Sequence, residues 1–270
     1  MWTTTLALVL LGAPAGQEQT GASTATTDDD LRNAFVDLED EYDEAKQEWY
    51  GLLSAAYQKA QESNGEIAFT EPDPIEPDWY PRFADLAVEG SIDAEVWCIV
   101  QHRYSGLDGD EAHADTRERY ELVLSEARPD AMLQSVTYAL MSDARASYAG
   151  KAYTPSPREA EAFAFLDAID ALTKSDDLRA LTLYARGSAL IPYMTPDDKK
   201  ARGLAYYEKA ANAYPKTEMG QRCAGYVFAG KNLKVGMKAP DIVGKDHDGN
   251  DLKLSDFAGK VAVIDFWGFW

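Results

Sequence analysis

Val261-Ala-Val-Ile-Asp-Phe-Trp-Gly-Phe-Trp270 is a run of apolar and aromatic side chains interrupted by one carboxylate, Asp265. Its β-branched and aromatic content predicts a strand over 261–267, covered on both faces as in a parallel sheet flanked by helices. The preceding residues lead up to it. Ser255-Asp-Phe-Ala-Gly-Lys260 reads as a turn or a brief helical piece. Asp248-Gly249 is a hairpin-turn signal between Ile242-Val243 and Leu252-Lys-Leu254. Before that, Val235-Gly-Met-Lys-Ala-Pro-Asp-Ile-Val243 is extended, because Pro240 pushes Ala239 out of the helical region. The texture changes near Leu233, so residues 233–270 form a unit of their own.

Upstream the pattern is helical. From residue 82 to 232 short helices follow one another: Asp93–Tyr104, His113–Ala127, Asp130–Ser147 behind Pro129, and a helix with Ala162, Phe165, Leu166, Ile169 and Leu172 on one face. Ser156-Pro-Arg-Glu159 has the form of a capping box for that last helix, and Thr195-Pro-Asp-Asp198 opens another. Short connections imply antiparallel hairpins. Gly203-x3-Tyr207-x2-Ala210-x4-Pro215 resembles the second helix of a tetratricopeptide repeat, where small residues admit a neighbouring helix and Pro ends the unit. Further upstream, Leu31, Phe35, Leu38, Tyr42, Ala45, Trp49, Leu52 and Ala56 alternate in steps of four and three. That seam predicts one long acidic amphipathic helix over 28–63, ended by Asn64-Gly65 and packed on its own domain. A Pro-rich connector, 64–81, follows, with Thr70–Pro81 read as non-helical.

Charge and composition bound the function. The chain has 26 Lys+Arg against 46 Asp+Glu, a formal charge of −20. Residues 28–95 hold 20 acids and 4 bases, so the excess sits in the long helix and connector, where it solvates the surface. Such a balance repels phosphate backbones and disfavours nucleic acid and anionic membranes as partners. Residues 1–15, MWTTTLALVLLGAPA, read as a secretory signal, with an apolar Leu6–Leu11 core and a small-x-small site at Ala13-Pro-Ala15. Residues 16–27 are a Gln/Thr/Ser/Gly spacer of disordered composition. The apolar core is far shorter than the ~20 residues of a spanning helix. The expected location is therefore outside the cytoplasm, in a periplasm or cell envelope, without a membrane span.

Metal and cofactor signals are weak. His102, His113 and His247 lack ligand spacing, and Asp246-x-Asp-Gly-x-Asp251 lacks the distant Glu of a calcium loop, which favours a hairpin turn. There is no G-x-S-x-G and no Gly-rich phosphate loop. No metal and no cofactor is expected. Cys98 and Cys223 each fall inside a helical segment and read as small buried hydrophobes, with a disulfide between them left open.

Three motifs in order, V-G-x-x-A-P-D-I, D-G-x-x-x-x-L-S-D-F-x-G-K-V and V-I-D-F-W-G-F-W, cover residues 235–270. Together they resemble the opening of the redoxin group of the thioredoxin superfamily, which includes the TlpA/ResA-like thiol–disulfide oxidoreductases and the AhpC/TSA peroxiredoxins. The resemblance implies the N-terminal part of an α/β thioredoxin-like domain after a mainly α, TPR-like region. In that family Trp270 would lead straight into C-x-x-C, and neither Cys98 nor Cys223 matches that motif. The expectation is thus a fragment without its redox cysteines, inactive as it stands.

For the intact protein the resemblance implies thiol–disulfide exchange with protein disulfide or thiol substrates. Asp265 aligns with a buried carboxylate that relays a proton to the resolving thiol. Trp267 and Trp270 align with the pair flanking the site, Trp270 against substrate. The helical region would bind a protein partner. Two alternatives stand beside this: a helical-repeat interaction scaffold with a degenerate redoxin appendage, and an AhpC/TSA-type peroxide reductase carrying Thr-x-x-Cys in place of C-x-x-C.

Overall fold

The computed structural model describes residues 26–63, 67–149, 152–192, 195 and 197–265. Residues 1–15, read as a signal, most of the stretch read as a spacer, Asn64-Gly65 and Phe266–Trp270 lie outside them. The described part is mainly α: α1 Asp28–Glu62, α2 Glu76–Val88, α3 Ile92–Val100, α4 Gly109–Val123, α5 Asp130–Asp143, α6 Glu159–Leu172, α7 Asp176–Leu190, α8 Asp197–Ala213 and α9 Glu218–Asn232. Two antiparallel hairpins accompany them, β1 Ser147–Ala149 with β2 Ala152–Thr154, and β3 Val243–Lys245 with β4 Asp251–Lys253.

α1 starts where its sequence demands. Thr27 Oγ1 accepts from the Asp30 amide at 3.2 Å while the Asp30 carboxylate accepts from the Thr27 amide at 3.0 Å, closing a capping box. The seam then buries Leu31, Leu38 and Tyr42 against α2 and α3. Their floor is Phe83 and Trp97, whose rings stack at 3.8 Å between centroids. Past Trp49, whose indole donates to the Asp73 carbonyl at 2.8 Å, the seam opens, and Leu52 is 61% exposed. The helix packs on its own chain, as expected, but over little more than its first half.

The connector reading fails at its end. α2 begins at Glu76, inside the stretch read as non-helical, with Pro77 in its first turn and Pro81 further in. Pro77 falls where an amide has no intrahelical partner, so only Pro81 removes a ladder bond. Burial of Tyr80, Phe83, Leu86 and Ala87 offsets that loss. Glu76 is buried as well, where it accepts from Tyr42 Oη at 3.2 Å and pairs with Lys46.

Other helix boundaries shift too. α4 opens at Gly109 rather than at His113. α5 stops at Asp143, and Ser147, read as its end, pairs instead with Thr154 in the first hairpin. Ser156 does not cap α6. Its hydroxyl donates to the Asp143 carbonyl at 2.6 Å and accepts from the Arg158 amide at 3.1 Å, so the helix opens at Glu159.

The central core joins α3 to α7 through Ile99, Val123, Leu133, Val136, Leu140, Leu166 and Ile169, all at most 1% exposed. A third cluster, Leu183, Tyr207, Ala210 and Cys223, binds α7, α8 and α9 in succession. Gly187 and Gly203 face each other there. A Cβ at Gly187 would strike the Tyr207 ring, and one at Gly203 would strike Ile191, so the absence of side chains sets the α7–α8 separation. These are the helical hairpins anticipated from the small-residue spacing.

The second hairpin also follows its sequence. Val243 pairs with Lys253, Gly244 with Leu252 and Lys245 with Asp251, and Gly249 takes φ +86° in the turn. The strand expected from Val261 does not form over 261–265, the part that is described. Val261 and Val263 are 96% and 90% exposed. A strand buried on both faces needs neighbours for its N–H and C=O groups, and no described strand pairs with it.

Candidate functional site

The motif residues of the C-terminal segment bind one another. Asp241, from the A-P-D element, accepts from both the amide and the hydroxyl of Ser255, from the L-S-D-F element, each at 2.8 Å. The backbone bond and then the hydroxyl hold its carboxyl below the usual carboxylate range. Leu254 N–H donates to the Ile242 carbonyl at 2.9 Å, and Asp256 closes on the Lys253 amide at 3.0 Å. Residues fourteen apart in sequence thus clamp the start of the segment to the turn that launches 261–265. Asp246 accepts from the amides of Asp248 and Asn250 at 3.0 and 2.8 Å and from the Asn250 side chain at 3.1 Å. That carboxylate organises a hairpin turn, which is the role favoured for the calcium-like spacing.

Of the three residues expected to do chemistry, Asp265 is the one among the described residues. Trp267 and Trp270 lie outside the described residues. Asp265, expected as a buried proton relay, is exposed, because the strand that would carry it inward is not formed. Cys98 and Cys223 are both fully buried and free. They belong to separate apolar clusters, Cys98 beside Trp97 and Phe83, Cys223 beside Tyr207. Burial pushes the Cys98 thiol up to about 12 and the Cys223 thiol up to about 11. Neither supplies a thiolate at neutral pH.

The histidines of the helical part lie beside carboxylates. His113 Nε2 lies 2.6 Å from Glu161, and His102 Nε2 lies 3.5 Å from Asp143. Asp143 also accepts from Tyr120 Oη at 2.9 Å and faces Arg158 at 3.5 Å, tying α4, α5 and the lead-in to α6 together. No group of three metal-ligating side chains occurs among the described residues. No helix there is long and apolar enough to cross a membrane.

Sequence reasoning missed a cleft of about 570 Å³ between the C-terminal ends of α7 and α9 and the first half of α8. Ile191, Leu204 and Leu233 give it apolar walls, and Tyr207 and Tyr226 give it aromatic ones. Those two rings stack at 5.1 Å, and Tyr184 stacks on both. From α8, Lys200, Leu204 and Tyr207 reach the cleft at helical spacing, and of these Tyr207 was a specified position of the Gly203–Pro215 pattern. The remaining walls come from α7, α9 and the residues that follow each of them. Size and lining suit a bound side chain or small ligand.

Fold and geometry together define a mainly α chain carrying a short, motif-bearing C-terminal hairpin segment. Part of the chain is similar to thiol–disulfide oxidoreductases of the thioredoxin-like kind. It is 40% identical over 53 residues to the thiol–disulfide oxidoreductase ResA of Bacillus subtilis (strain 168), covering 19% of this chain and 30% of that protein. It is 37% identical over 46 residues to ResA of Bacillus cereus (strain ATCC 10987 / NRS 248) and of Bacillus thuringiensis subsp. konkukian (strain 97-27), covering 17% of this chain and 27% of each. The chain thus spans less than a third of the curated relatives it matches. No family model and no solved structure matches it.

Proposed function

We propose that the chain belongs to an exported thiol–disulfide oxidoreductase of the periplasm or cell envelope, whose redox cysteines are neither Cys98 nor Cys223. The observation that carries this reading is the 40% identity over 53 residues to ResA. The Asp241–Ser255 clamp supports it, because the motif residues hold each other in the order the resemblance requires. In the intact protein one thiolate attacks a sulfur of the substrate disulfide and releases the other sulfur as thiolate. The second thiol then displaces the reduced substrate from the mixed disulfide. Asp265 takes the proton of that resolving thiol, and Trp267 and Trp270 flank the reacting sulfurs. The helical region, with the α7–α9 cleft, holds the protein partner.

Two measurements test the reading. Insulin reduction by the 270-residue chain should equal that of a C98A/C223A variant, because both thiols are buried and protonated. Faster turnover by the unsubstituted chain overturns the assignment of these cysteines. The coding sequence beyond Trp270 is the second test. C-x-x-C there supports the oxidoreductase, Thr-x-x-Cys selects peroxide reduction, and an in-frame stop leaves the interaction scaffold.

A further inference from the structure

The first turns of α5, α7 and α9 surround a second cleft, of about 250 Å³, with Asp130, Asp177 and Glu218 on its rim. Its walls are apolar. Leu178 and Leu181 are each 4% exposed, Met219 packs on the central core, and Tyr138 stands 39% exposed beside them. The walls are thus the outer surface of the core itself, which fixes the shape of the cleft before anything enters it. All of its lining residues are among the described ones. It lies at the N-terminal end of α9, about 20 Å along the helix from the C-terminal segment that follows Asn232.

The rim is more negative than the helices require. A carboxylate in a first turn offsets the roughly half unit of positive charge at a helix N-terminus. Three carboxylates at three such ends leave a surplus, and α7 adds Asp176. None of the lining residues is basic. The arginines of α7 and α9 are engaged elsewhere: Arg179 donates to the Thr173 carbonyl at 2.9 Å, Arg186 pairs with Asp167, and Arg222 lies over the Tyr184 ring at 5.7 Å. Thr173 Oγ1 donates to Asp130 at 3.0 Å and holds that carboxylate at the rim. The three acids do not converge as metal ligands do. Spread around apolar walls, they suit an organic cation on an apolar stem.

We infer that the α5–α7–α9 cleft is a docking site for one basic side chain, arginine or lysine, of a partner polypeptide. The stem lies along Leu178, Leu181 and Met219, the cationic head meets the carboxylates, and Tyr138 adds an aromatic wall beside the same charge. At about 250 Å³ the cleft falls below the ~300–1,000 Å³ of pockets that enclose a whole small molecule. It therefore takes a single side chain while the rest of the partner stays outside. The inference goes beyond the redox reading and does not depend on it. It also stands apart from the larger cleft, which Lys200 and Lys234 border.

Fluorescence anisotropy with the full 270-residue chain tests it, using a labelled, end-blocked peptide Gly-Leu-Arg-Leu-Gly as the probe. Saturable binding tighter than about 1 mM is expected, weakening severalfold as salt rises from about 20 to about 300 mM. The same peptide with citrulline for arginine keeps the shape without the charge and should bind about tenfold more weakly. On the protein, D177N/E218Q should cause a loss of about the same size. D37N/D40N removes as many charges from α1 and should leave binding unchanged, whereas diffuse attraction to an acidic chain would respond to both pairs alike. Circular dichroism of both variants should match the parent. Butylguanidinium, the side chain without its polypeptide, should displace the probe only at concentrations about tenfold above those of unlabelled peptide. Absence of saturable binding overturns the proposal. So does equal binding of the citrulline peptide, or an equal response to the two charge variants. Displacement by butylguanidinium as readily as by peptide overturns the polypeptide as occupant.

Discussion

Cys98 and Cys223 show how little a residue's identity says about its chemistry. Each is a potential nucleophile, and burial disarms both by raising the thiols to about 12 and about 11. Ellman's reagent at pH 8 should therefore find no reactive thiol in the folded chain and both in denaturant. Because the folded values lie above the unfolded ones, the stability these groups contribute is complete below the ordinary thiol range. It is lost as pH rises through that range toward the folded values, and burial pushes Tyr80 and Tyr207 in the same direction. The midpoint of urea unfolding should accordingly fall between pH 8 and pH 11. Exchange of Cys98 for Ser should reduce that fall, since a serine hydroxyl does not titrate there. The burial itself was legible, since both cysteines sit in apolar helical surroundings. Asp265 is the opposite case. The resemblance implied a buried carboxylate, and burial is conferred by neighbouring strands that the residue does not specify.

At the scale of elements, the parts read correctly are those whose signals are local. The start of α1 at Asp28 was legible, and the structure adds the cap that Thr27 and Asp30, three apart, close there. Asp248-Gly249 supplies the turn that sets the β3–β4 register. The parts misread are those where a long-range contact outweighs a local preference. Pro81 argues against a helix, yet Phe83 is wholly buried, stacked on Trp97 and edge-on to Phe35, so α2 forms around it. Phe83→Ala should cost about 3–5 kcal/mol in chemical denaturation, through the cavity it leaves among three aromatic rings. Ser156 offers a capping hydroxyl, and the Asp143 carbonyl takes it. In the α7–α8 hairpin, Gly203→Ala inserts a methyl into Ile191 beside the Gly187 carbonyl. Despite alanine's better helix propensity it should destabilise by about 1–3 kcal/mol, whereas the same change at open Gly225 should be neutral or stabilising.

Over the whole molecule, the buried apolar surface is concentrated in the helical stretch. The three apolar clusters lie between Leu31 and Val227, and residues 233–265 contribute none of their buried members. A chain ending at residue 232 should thus keep its thermal midpoint within about 2 °C of the parent, read by circular dichroism. A larger drop would show that the C-terminal segment supports α9. The amino-acid sequence alone determined the helical class, the long α1, the β3–β4 turn, the burial of both cysteines and the redoxin-like motif order. All of these depend on periodicity or on residues a few positions apart. Only the tertiary structure decided that α2 tolerates Pro81, that tyrosines from α8 and α9 line one cleft with Tyr184 stacked on both, and that Val261–Asp265 stands open to solvent. These depend on which distant surfaces meet, and burial of a side chain is a property of its neighbours.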